Sequence, residues 1–85
     1  MKLEQELDFF VAEFSKFNNY NEVVEHFQKT YGKNYEHYLA WDAIRAVLPA
    51  STICEWYKKY KCNEYDIIEL AKKALKIVLE ELENA

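Results

Sequence analysis

Gly32 and Pro49 are the only glycine and the only proline in this 85-residue chain. Hairpin turns and phosphate-cradling loops draw on glycine, because their backbones pass through positive φ or approach a ligand closely. One glycine cannot furnish the repeated turns of an all-β fold, nor the glycine-rich loop of a Rossmann or P-loop unit. The chain is therefore expected to run as helices. At 10.2 kDa, folding buries about two-thirds of the surface of the extended chain. That suffices for one core, so residues 1–85 are read as a single helical domain. Hydrophobic content of 51% excludes a disordered chain, and a charged content of 31% excludes a membrane protein.

Hydrophobic spacing divides the chain. Leu3, Leu7, Phe10, Val11, Phe14 and Phe17 fall in one sector at the helical period, predicting a first helix over 2–17. Asn18–Asn21 breaks it. A second helix follows to about Tyr31, capped by Asn21, with Val23, Val24, Phe27 and Tyr31 inward and Gly32 as its stop. Asn34 is placed to cap a third helix to Leu48, which Pro49 ends. Thr52 and Glu55 have capping-box spacing for a fourth, with Ile53, Trp56, Tyr57 and Tyr60 inward. Asn63–Asp66 opens a fifth helix to about Leu82. Its apolar face, from Ile67 to Leu82, covers about 200° of arc, which makes it the central helix. The expected fold is all-α, a compact bundle of four or five short helices.

The core is expected to take Leu7, Phe10, Phe14 and Phe27 from the early helices. The later helices should add Ile44, Val47, Ile53, Trp56, Tyr57, Ala71, Leu75, Val78 and Leu82.

Chemistry is sparse. Ser51 and Thr52 are absorbed by capping, and His26 and His37 each follow a glutamate without forming a triad. Glu22 and His26 stand four apart, yet a structural zinc site needs four ligands. No catalysis, metal or cofactor is expected. Cys54 and Cys62 lie eight apart, about 12 Å along a continuous helix and too far for a disulfide. Reduced thiols and an acidic N-terminus without an apolar run predict a cytoplasmic protein with no membrane association.

The net charge is −4, but it is unevenly spread. Residues 43–79 carry seven bases and four acids. Leu39–Trp56 loosely resembles a helix-turn-helix, with Ala43, Ile53 and Trp56 at its packing positions and Lys58, Lys59 and Lys61 following. DNA binding through those lysines is the alternative reading. Against it stand Val47 at the usual glycine position, Asp42 at an apolar position and Glu55 on the wet side.

The favoured reading comes from aromatics that the helical wheels leave unburied. Phe9 falls on the polar side of the first helix. Tyr38 and Trp41 fall on the flank of the third, with Asp42 and Arg45. Trp, Tyr and Arg most often carry interface energy, since each joins large desolvated area to an oriented polar group. Phe9, Tyr38, Trp41, Asp42 and Arg45 are therefore the candidate partner-binding residues. The chain is expected to be a non-enzymatic protein-binding module, a small acidic regulator, inhibitor or accessory subunit. Its partner would be another protein or, as a homodimer, a second copy.

Overall fold

A computed structural model describes residues 2–84, and these form helices without any strand. Five α-helices follow one another: α1 (Leu7–Phe14), α2 (Tyr20–Tyr31), α3 (Tyr35–Val47), α4 (Ala50–Lys59) and α5 (Glu64–Glu83). Two 3-10 turns, Leu3–Glu6 and Gly32–Asn34, precede α1 and α3. No helix is long and apolar enough to cross a membrane among the described residues.

The expected central helix is central. α5 packs along both α1 and α3 and touches the first 3-10 turn, while α2 packs on α3. The side chains at the contacts explain the closeness. Ala71 and Ala74 of α5 and Ala40 of α3 are fully buried, so backbones approach there. Phe10, Phe14, Ile44, Ile67 and Ile68 are the largest side chains without solvent contact, and they fill the space between these helices. α5 also has the best-formed start. The Asn63 side chain accepts from the Asp66 amide, and the Asp66 carboxylate accepts from the Asn63 amide. A cap of this kind is worth about 1 kcal/mol.

Several expectations are corrected. The first helix is shorter than 2–17, ending at Phe14. The Ser15 hydroxyl donates to the Val11 carbonyl at 2.6 Å, occupying an oxygen at the end of the helix. α2 begins at Tyr20, so Asn21 lies inside it rather than capping it. The expected cap at Thr52 is replaced by Pro49, whose carbonyl accepts from the Thr52 and Ile53 amides. Its fixed φ of −64° starts α4 three residues early, leaving Ser51 and Thr52 within the first turn. Val23, Tyr31 and Leu82 were expected inward and are exposed. Tyr31 and Leu82 share one cause: each sits at the far end of its helix, where the apolar stripe outruns the neighbours. Leu7, Phe27, Val47, Ile53 and Tyr57 are half-buried against the core rather than inside it.

Gly32 ends α2 as expected. Its φ of +55° lies where a β-carbon is strained, which is why glycine occupies this corner.

Candidate functional site

Most of the aromatic side chains form two connected groups. The first is internal. Phe10 stacks on Phe14 with ring centres 5.2 Å apart, and Trp56 presents its edge to Phe10 at 5.7 Å. Phe9 joins this group from outside, its ring 6.1 Å from Trp56 in an edge-to-face contact. About a third of its surface remains exposed. Tyr60 closes the group beside Trp56, and its hydroxyl donates to the Glu6 carboxylate. That hydrogen bond, with burial, raises the Tyr60 phenol above its ordinary range.

The second group runs over the outside. Phe27 leads to Tyr31 at 5.4 Å, and Tyr31 stacks on Tyr38 at 4.4 Å with planes 25° apart. His37 stands edge-on to Tyr38 at 5.5 Å, and Tyr65 follows His37 at 6.5 Å. Three helices thus contribute to one strip. Tyr31 is 41% exposed, Tyr38 44% and Tyr65 70%. Offset stacking at these distances adds about 0.5–1.5 kcal/mol per pair beyond area burial, so the rings hold one another in place.

The candidate residues divide between these surroundings. Tyr38 lies in the strip. Asp42 and Arg45, four and seven residues further along α3, share its face and are exposed. Trp41 is half-buried and packs on the core, with the Arg45 guanidinium 5.2 Å above its ring. That cation–π contact fixes the direction of Arg45. Asp42 also rims a groove of about 310 Å³ between the α1–α2 corner and α3, flanked by the exposed Phe17 and Val23. Phe9 is elsewhere, against α4.

Tyr31 and Tyr65 belong to the strip and were not singled out from the sequence. Tyr65 was accessible to the same reasoning: on the α5 wheel it falls opposite the buried face. Tyr31 was not, because its stripe continues that of Val24 and Phe27, and only the length of α2 exposes it.

Lys58, Lys59 and Lys61 are all exposed around the end of α4. The Lys59 ammonium lies 5.1 Å from the Tyr60 ring. The helix pair that a helix-turn-helix would hold together shares little packing here. α3 packs chiefly on α5 and α2, and α4 meets α1 through Trp56. Among the described residues, no three His, Cys, Asp or Glu side chains gather where they could hold a metal ion. Cys54 is exposed, while Cys62 donates to the Trp56 carbonyl and is raised in pKa chiefly by burial. Compared with protein-family models, curated proteins and solved structures, the chain matches none.

Proposed function

We propose that this chain is a non-enzymatic protein-binding module that occupies a partner's surface through the strip centred on Tyr31 and Tyr38. The supporting observation is the 4.4 Å stack of two tyrosines that both stay more than 40% exposed. Rings already held in register lose little freedom on binding, so their area converts to affinity efficiently. Their hydroxyls supply hydrogen bonds at the edge of the contact. Asp42 and Arg45 on the same face of α3 add one charge of each sign, which sets the orientation of the partner. Such a module acts by covering a surface, as a regulator, inhibitor or accessory subunit.

The test is affinity capture. Tyr38→Ala is expected to keep its helical circular dichroism and to lose the protein that the unaltered chain captures. Phe9→Ala, altering a ring outside the strip, is expected to retain it. Capture that survives Tyr38→Ala contradicts the proposal. The second reading, DNA binding through Lys58, Lys59 and Lys61, rests on the exposure of all three lysines. It requires duplex affinity that falls steeply with salt, and no binding at low salt ends it.

A further inference from the structure

A second groove is lined by none of the rings of the aromatic strip. It has a volume of about 540 Å³ and runs along α5 beside the start of α3, over a floor that includes Leu39, Leu75 and Leu79. Its α5 wall is charge-segregated. After Glu69, which pairs with Lys72, its bases Lys72, Lys73 and Lys76 precede its acids Glu80 and Glu83.

This order is unfavourable within a single helix. The C-terminal end of a helix carries partial negative charge and favours bases. The last turn of α5 has no base, and Glu80 and Glu83 lie in or next to it. A lysine four residues before a glutamate, as Lys76 and Glu80 are, is also the weaker orientation for an intrahelical pair. Among the described residues the one ion pair on this wall joins Lys72 to Glu69 at 3.2 Å. None of Lys73, Lys76, Glu80 and Glu83 makes an ion pair with another described residue.

We propose that this face pairs with the same face of a second copy, the two α5 helices running antiparallel. Basic-then-acidic order is self-complementary only in that direction, since a parallel pair would set like charges together. A register centred at the level of Val78 places Lys76 level with Glu80 of the other copy and Lys73 level with its Glu83. Two-fold symmetry makes each of these contacts twice, as an isologous interface requires. Leu79 of each copy then lies at the centre, over the apolar floor of the other's groove. Antiparallel helices also bring the bases of one copy toward the negative end of the other. The lining of this groove and the Tyr31–Tyr38 strip have no residue in common.

Exposed ion pairs are individually weak, so the association is modest and salt-dependent. Sedimentation equilibrium decides the matter at chain concentrations up to about 1 mM, near the weak limit of specific binding. The unaltered chain is expected to dimerise at about 0.01 M ionic strength and to dissociate progressively toward about 1 M, where screening is nearly complete. K73E/K76E alone and E80K/E83K alone are expected to associate at least about tenfold more weakly, since like charges then oppose. Mixed in equal amounts, the two variants are expected to recover a heterodimer. A chain that stays monomeric throughout at low salt overturns the proposal. So does a variant that self-associates as the unaltered chain does, or a mixture that remains monomeric. If a variant loses its helical circular dichroism, zero-length carbodiimide cross-linking of the unaltered chain decides instead. A covalent dimer joined through Lys76–Glu80 or Lys73–Glu83 supports the pairing, and one joined only elsewhere, or none, overturns it.

Discussion

Tyr20 shows most clearly how one side chain can oppose the fold that holds it. It is 3% exposed, and its hydroxyl has no hydrogen-bond partner among the described residues. Leaving such a group dry costs about 1–3 kcal/mol. Burial also holds its phenol well above the ordinary range. Tyr20→Phe keeps the ring and removes the hydroxyl, so urea unfolding at neutral pH is expected to show a gain of about 1 kcal/mol. A loss would mean that the hydroxyl has a partner. The sign of the pH effect follows from the raised pKa. The folded state retains a proton that the unfolded chain gives up above about pH 10. Stability is therefore complete below that pH and falls as pH climbs from there toward the folded value. The fall is expected to be shallower in Tyr20→Phe, with Tyr57, Tyr60 and Cys62, all also raised, contributing to the remainder. The sequence placed Tyr20 in the break between two helices. Its burial depends on the path by which the chain enters α2, which helical periodicity does not contain.

At the scale of elements, α5 is where sequence reasoning reached furthest and where its limit shows. Asn63 and Asp66 predicted the start of the helix, and the wide apolar arc predicted its central place. Leu75 and Leu82 occupy neighbouring directions on that arc, yet Leu75 is 4% exposed and Leu82 46%. A wheel records direction and not distance along the axis. Twenty residues span about 30 Å, further than the shorter helices of the bundle reach. Leu75→Ala is expected to cost about 2–5 kcal/mol in chemical denaturation and Leu82→Ala well under 1 kcal/mol. Equal costs would place Leu82 in the core after all. The same limit explains α4. Thr52 and Glu55 have the right spacing for a cap, but Pro49 starts the helix before them, and local patterns compete where two starts overlap.

For the molecule as a whole, the informative property is where its fourteen aromatics go. Phe10, Phe14, Trp56 and Tyr60 build the interior, as their spacing predicts. Tyr31, Tyr38 and Tyr65 come from three different helices and meet outside it. Tyr38 could be picked out from its flank position on α3, but its stacking partner could not, because the contact spans two helices and a corner at Gly32. The strip is a tertiary product of local rules. Its proposed role in recognition requires that it contribute little to folding. Urea unfolding of Tyr31→Ala/Tyr38→Ala tests that requirement most directly. The two rings are each partly in water, so the pair is expected to cost less than about 2 kcal/mol, most of it stacking. Partner capture should be lost in the same protein. A cost of about 3–5 kcal/mol for each ring, the range for buried aromatics, would make the strip part of the core and contradict the account.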